Sequence, residues 1–254
     1  METKIIRLEQ ITQTVMSLIL EKPVEYNYMP GQFINITIPV DECDARCNKR
    51  NFSLVSSPTD EYLQIATRRG VSRFKQTYEI ISPGTAVKIS PPLGKFTLNM
   101  DTKVKAVMLS GGIGITPLHS MLKYATVKKL PKQIIFIYSN SKKDDIPFKN
   151  DLDDYAKNNP HLSLYYAITD NSDHNSLNSP SYLKRGLGGV KQSADARILG
   201  GRIDEVMIKK QVSDFWSCEF YVCGPPDMVT NLVKMLEDMK IRPDLIKQEL
   251  FTGY

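Results

Sequence analysis

The sequence predicts a two-domain α+β protein. An antiparallel β-barrel over residues 1–100 is followed by an α/β domain with a parallel sheet over residues 101–254. Three observations predict this. Short runs rich in β-branched and aromatic residues, divided by turn dipeptides, fill the first hundred positions. From about residue 101, strand-like runs alternate with runs of helical spacing. Two turns, Gly111-Gly112-Ile113-Gly114 and Cys223-Gly224-Pro225-Pro226, each close an apolar run and open a helix-like one.

In chain order, strands are expected at Ile5–Leu8, Thr14–Leu20, Phe33–Ile38, Phe52–Ser56, Tyr62–Thr67 and Ala86–Ser90. Pro30-Gly31, Ser57-Pro58, Ser82-Pro83-Gly84 and Pro91-Pro92-Leu93-Gly94 punctuate them. Many short strands at such spacing point to a barrel or sandwich. Ser72–Ile81 reads as a short helix. In the second half, Lys105–Ser110, Gln133–Tyr138, Leu162–Ile168, Glu219–Cys223 and Leu245–Leu250 read as strands. Thr116–Tyr124, Phe148–Lys157 and Pro226–Lys240 read as helices, and the polar stretch Asp170–Ser181 as an exposed loop. Strands alternating with helices form βαβ units and a parallel sheet.

Composition narrows the function classes. The 254 residues are 41% hydrophobic and 24% charged, with a net charge of +5; this is an ordinary globular balance. The excess of lysine and arginine suits an acidic partner protein or phosphorylated ligands. It is too small and scattered for nucleic acid, and aromatic residues are not interleaved with it as stacking platforms. No apolar run of about 18 residues argues for a membrane span. The first twenty residues alternate and carry Glu2 and Glu9, so they read as strand rather than leader, and the cytoplasm is the expected compartment. Cys43, Cys47, Cys218 and Cys223 lack the spacing of an iron–sulfur or zinc site and are expected to be free thiols. His119, His161 and His174 are read as structural or solvated rather than catalytic.

Two segments of the first half carry chemistry. In Arg50-Asn51-Phe52-Ser53, residues two apart share a strand face, so Arg50 and Phe52 point one way and Ser53 the other. A forked cation, an aromatic face and a hydroxyl are what a flavin asks of its host: a phosphate partner, a ring support and a hydrogen bond near N5. The alternative is an edge strand with Phe52 in the core and Arg50 in solvent. Thr67-Arg68-Arg69-Gly70-Val71-Ser72 sets a glycine and a serine at a helix start. That is either a phosphate cradle or an ordinary N-cap.

In the second half, the turn at Gly111–Gly114 follows Ala106–Ser110 and precedes a helix whose free amides and dipole suit a pyrophosphate. Thr116-Pro117 stands where a dinucleotide fingerprint has its third glycine, and proline is well placed in a first helical turn. In a doubly wound sheet this turn and Cys223–Pro226 lie together at the carboxyl ends of the strands.

These runs resemble the ferredoxin–NADP reductase family over almost the whole chain. Arg50–Ser53 matches its Arg-x-Tyr-Ser with phenylalanine for tyrosine, Gly111–Pro117 matches its Gly-Gly-x-Gly-x-Thr-Pro, and Cys223–Pro226 matches its Cys-Gly-Pro-Pro. The ending Glu249–Tyr254 looks like that of compact bacterial members. The resemblance implies FAD in the barrel and NAD(P)H on the second domain. It implies that Arg50, Asn51, Phe52, Ser53, Thr67, Arg68, Gly70, Val71 and Ser72 meet the flavin. It further implies that Gly111, Gly112, Gly114, Thr116, Pro117, Cys223, Gly224 and Pro225 meet the nicotinamide nucleotide. Ser53, Cys223 and Glu249 are the implied catalytic groups, and Phe251 or Tyr254 covers the flavin ring. No metal site is expected. Phe52 lacks the family's phenolic hydroxyl, a difference of about 0.5–1.5 kcal/mol in hydrogen bonding.

The implied reaction passes hydride from NAD(P)H to FAD and electrons onward to a separate ferredoxin-like, flavodoxin-like or oxygenase component. A diaphorase reducing free flavin, quinone or ferric chelates is a second reading, and a non-catalytic nucleotide-sensing subunit a third. The choice of nucleotide falls to Ser139–Asp145, where Lys142 or Lys143 suits a 2′-phosphate and Asp144 or Asp145 a ribose hydroxyl.

Overall fold

The computed structural model describes residues 1–41, 47–170 and 197–251. Its first half is a six-stranded antiparallel sheet of order β4-β3-β6-β1-β2-β5. The strands are β1 (Glu2–Gln10), β2 (Val15–Glu21), β3 (Phe33–Thr37), β4 (Lys49–Ser53), β5 (Tyr62–Arg68) and β6 (Ala86–Ile89). The sheet curls until its two edges approach, where Val55 N–H donates to Gln64 C=O at 2.8 Å. One short helix, α1 (Arg73–Ile80), follows β5 and buries Phe74 and Tyr78 in the barrel core with Leu18, Leu20, Ile34, Ile36 and Leu63.

The expected strand Phe52–Ser56 is corrected. Strand β4 pairs with β3 from Thr37–Lys49 to Phe33–Ser53 and then leaves it. Leu54 N–H still reaches Gln32 C=O, but Val55 crosses to Gln64. A tertiary crossing of this kind leaves no local mark in the sequence.

The second half is a six-stranded sheet of order β10-β9-β8-β7-β11-β12, parallel throughout. Its strands are β7 (Ala106–Gly111), β8 (Ile134–Asn140), β9 (Leu162–Ile168), β10 (Arg197–Gly200), β11 (Glu219–Gly224) and β12 (Ile246–Leu250). Helices α2 (Ile115–Val127) and α3 (Lys149–Asn158) cover one face, and α4 (Glu205–Gln211) and α5 (Pro226–Asp238) the other. Strand β10 and helix α4 have four and seven residues, too short to declare themselves by periodicity. The loop expected at Asp170–Ser181 lies, after its first residue, outside the described residues.

The topology fixes where a ligand can sit. From β7 the chain runs outward through β8, β9 and β10, then returns to the other side of β7 to lay down β11 and β12. The order therefore reverses between β7 and β11, and the crevice at such a reversal is the usual ligand position of an open parallel sheet. The two glycine turns flank it.

The halves share one core. Val15, Val55, Ala66, Phe96 and Leu98 of the first pack with Met108, Leu118, Met121 and Tyr221 of the second. The connecting segment is tied at its polar groups. Asn99 gives its backbone N–H to the Tyr221 hydroxyl (2.9 Å) and its side-chain amide to Glu219 (3.1 Å). Fully buried Lys132 donates to Asp101 C=O (2.7 Å) and Val104 C=O (2.6 Å). Burying an ammonium this deeply is tolerable only because its protons find acceptors.

Cys218 and Cys223 are free and buried, whereas Cys47 is disulfide-bonded. The expectation of four free thiols rested on cysteine spacing and compartment, neither of which carries geometric information, and it is corrected at Cys47. Cys43 lies outside the described residues.

Candidate functional site

A cleft of about 430 Å3 opens between the halves. Strands β4 and β5 supply one wall, with Lys49, Arg50, Asn51, Phe52, Ser53, Thr67 and Arg68. The turn after β7 and the end of β12 supply the other, with Ile113, Thr116, Glu249, Leu250 and Phe251. Phe33 and Lys75 complete the rim.

The strand-face reading of β4 holds. Phe52 stacks on Phe74 (centroids 5.8 Å, 27° between planes), and the Arg50 guanidinium stands 5.4 Å above the same Phe74 ring. Ser53 points the other way and its Oγ donates to Glu249 Oε2 at 3.4 Å. Arg50 and Phe52 thus share a face, and Ser53 links the barrel to the last strand of the parallel sheet.

The turn after β7 needs its glycines for two reasons. Gly112 has φ +53°, and a Cβ there would stand 2.8 Å from Arg68 Nη2. Gly114 permits a close approach instead: a Cβ there would lie 2.6 Å from both Cys223 O and Gly224 Cα. The two motif turns are in backbone contact, which only a residue without a side chain allows. Pro117 sits in the first turn of α2, and Pro225 caps α5.

Parallel register sets a row across the sheet: Tyr138 beside Ser110, Ser110 beside Cys223, Cys223 beside Glu249. Burial pushes the Glu249 carboxyl up to about 7, partly offset by the Ser53 hydroxyl. Cys223 is fully buried, and burial together with the Glu249 charge pushes its thiol well above the usual range. It is a neutral thiol behind the cleft, and it does not line the wall.

The rest of the wall is cationic. Lys49, Arg50, Arg68 and Lys75 line the cleft against one carboxylate, Glu249. Partial burial, then the Arg68 charge, hold the Lys75 ammonium below its ordinary value. Cations gathered in a concave wall favour an anionic occupant.

Of the remaining predicted residues, half-buried Gly70 and exposed Val71 and Ser72 lie outside the cleft wall. Ser72 is the N-cap of α1, accepting from Lys75 N–H at 3.3 Å. Tyr254 lies outside the described residues, while Phe251 is on the wall and donates its N–H to Gly224 C=O. Asp145 accepts from the Thr14 hydroxyl at 2.8 Å, and Thr14 also receives Arg68 Nη1 at 3.3 Å. One of the four charged residues offered for nucleotide choice is therefore engaged with the barrel. Sequence reasoning missed Lys49 and Lys75; lone lysines carry no motif, and only the fold brings them to Arg50 and Arg68. Among the described residues, no group of three or more His, Cys, Asp or Glu side chains could hold a metal ion. No helix there is long and apolar enough to cross a membrane.

A curled antiparallel sheet followed by a parallel nucleotide-type sheet is the two-domain fold of the ferredoxin–NADP reductase-like structures. Residues 108–187 match the oxidoreductase NAD-binding domain family. The chain is 25% identical over 251 residues to a flavohemoprotein of Bacillus subtilis, covering 97% of this chain and 58% of that protein. It superposes with a TM-score of 0.77 on the FAD/NAD-binding domain of a nitric oxide dioxygenase from Vibrio cholerae (18% identity, 99% of this chain and 98% of that one). With a ferredoxin NADP+ reductase from Neisseria gonorrhoeae, bound to FAD and NADP, the TM-score is 0.73 (18% identity, 98% of each chain). The chain spans a little over half the length of the curated relatives it matches. The likeness to these solved structures is one of fold: a two-domain ferredoxin–NADP reductase-like architecture that carries an oxidoreductase NAD-binding domain.

Proposed function

We propose that the protein is a flavin-dependent NAD(P)H oxidoreductase that takes hydride from reduced nicotinamide onto FAD and passes electrons to a separate acceptor. The observation that carries this reading is the cleft itself, where four cations of the barrel face the Ser53–Glu249 pair at the sheet's reversal point.

The donor set fits FAD. Arg50 offers a planar fork and Lys75 a point charge to phosphate oxygens, and Phe52 offers an aromatic face already braced by Phe74. Ser53 offers a hydroxyl at the inner end of the strand. The turn at Gly111–Gly114, with α2 behind it, offers free amides to the phosphates of the nicotinamide nucleotide. When bound, the flavin supplies hydride acceptance and release of electrons singly or in pairs. The chain supplies orientation and protons. Glu249, with a value near 7, holds or releases a proton at its carboxyl beside the Ser53 hydroxyl. Cys223 stays neutral and fills the space behind them. Ile113, Leu250 and Phe251 limit water at the inner end.

The acceptor is read as a ferredoxin-like, flavodoxin-like or oxygenase-type component outside these residues, a reading supported by the net charge of +5. The domain boundary is read at 100/101, where the tied connecting segment lies, and the compartment as the cytoplasm. The test is an anaerobic absorbance spectrum before and after NADH, then NADPH. A flavin band bleached promptly by one nucleotide supports the reading and identifies the donor. A protein that remains colourless after incubation with FAD sinks it.

A further inference from the structure

The side chains that join the two halves include one the proposed chemistry does not use. His119 lies on α2 about one helical turn past Ile115. Its ring is 2% exposed. Nδ1 stands 2.9 Å from Val55 C=O, across the seam, and Nε2 stands 3.1 Å from Asp151 Oδ2 and 3.2 Å from the Tyr155 hydroxyl. The rings of Phe148 (4.9 Å) and Tyr155 (5.4 Å) close around it. The Val55 carbonyl can only accept, so Nδ1 donates to it, while Nε2 faces both the Asp151 carboxylate and the Tyr155 hydroxyl. A buried polar ring is costly unless hydrogen-bonded, and Leu118, Met121 and Leu122 beside it on α2 show that apolar side chains fill this helix. What the imidazole ring adds is direction: apolar contacts slide, whereas a hydrogen bond fixes a distance and an angle.

The fixed atoms connect to the cleft. Val55 follows Ser53 by two positions on the chain, and Thr116 lies in the first turn of the helix that carries His119. Ser53 and Thr116 both line the cleft, from opposite halves. Next to His119, the Ser120 hydroxyl donates to Ser56 C=O at 2.6 Å, and Lys123 pairs with Asp60 at 2.8 Å. We propose that His119, held between the Val55 carbonyl and the Asp151 carboxylate, is a positioning residue that sets the distance between the Ser53 strand and the nucleotide turn. The proposal rests on the oxidoreductase reading, under which this is the distance between the flavin and the nicotinamide. Hydride donor and acceptor must come within about 3–3.5 Å, and a misplacement of about 1 Å costs roughly 100-fold.

The test compares wild type with His119→Leu, His119→Gln and Asp151→Asn in two ways. Anaerobic stopped-flow mixing of the FAD-loaded protein with graded NADH or NADPH gives the limiting rate of flavin bleaching and the half-saturating concentration. Amide hydrogen exchange of the flavin-free protein reports on residues 53–57. We expect the limiting rate of His119→Leu to fall about tenfold or more, with half-saturation shifting less than about threefold. Exchange at 53–57 should quicken, Gln should restore part of the rate by donating to Val55, and Asp151→Asn should fall between. A merely structural histidine would lower the melting temperature and leave the limiting rate unchanged well below it. Should His119→Leu not fold, the other two variants carry the test. Wild-type rates or unchanged exchange in the variants overturn the proposal. Wild type that neither nucleotide bleaches overturns the oxidoreductase reading instead, while the exchange data still judge the clamp.

Discussion

Ser53 Oγ lies 3.4 Å from Glu249 Oε2, although 196 positions separate the two along the chain. One belongs to the edge strand of the barrel and the other to the edge strand of the parallel sheet. Their hydrogen bond spans the inner end of the cleft. Ser53→Ala should leave folding nearly unchanged and slow flavin bleaching by NAD(P)H by about tenfold or more, because one positioned hydroxyl is lost where the reaction occurs. Stopped-flow rates at saturating nucleotide, read beside the melting temperature, check this.

Glu249 makes stability depend on pH in a definite direction. Its folded value is about 7 against 4.5 for an ordinary glutamate. Between those values the folded protein binds more protons than the unfolded chain, so this carboxyl's contribution to stability falls as pH rises from about 4.5 to 7 and then levels off. Glu249→Gln should flatten that part of the profile and be the more stable form above pH 7. Urea midpoints of both proteins from pH 4.5 to 8 would expose the difference, and parallel profiles would refute it.

Gly114→Ala should damage the fold itself. The added methyl would meet backbone atoms of Cys223 and Gly224 at 2.6 Å, and backbone cannot rotate away as a side chain can. A loss of about 1–3 kcal/mol is expected, visible as a lower denaturant midpoint. Gly84→Ala is the comparison: its Cβ would meet nothing within 4 Å, so only the strain of its φ of +84° applies.

Arg50→Ala should weaken FAD binding by about 1.5–3 kcal/mol, roughly 10- to 100-fold in Kd. Lys75→Ala should weaken it less, since a point charge replaces its partner more easily than a fork does. Both losses should shrink as salt is raised. Titration of the flavin-free variants with FAD, followed by flavin fluorescence, decides this.

The features legible in the sequence were those with local physical causes. Gly111–Gly114 and Cys223–Pro226 announce themselves because glycine and proline restrict or free the backbone wherever they stand. Thr14–Leu20 and Tyr62–Thr67 show as strands because short apolar and β-branched runs pack well in a sheet. Legibility ended where cause became tertiary. The end of β4 depends on Val55 finding Gln64, and nothing near Ser53 encodes that crossing. Lys49 and Lys75 become site residues only when β4 and α1 meet. His119 read as an unremarkable helical histidine, because its partners Val55 and Asp151 lie 64 and 32 positions away. Asp145 was offered to a ribose, yet its acceptor Oδ2 is spent on Thr14, 131 positions distant.

The segment after Phe96 gives the two halves no slack. With Asn99 tied to Glu219 and Tyr221, and Lys132 bound to both Asp101 and Val104, there is no free length about which the barrel could swing. The width of the cleft is thus set by hydrogen bonds that lie outside it. Substitutions that cut these ties, such as Asn99→Ala, should let the two walls drift and blur the spacing of the groups that line them.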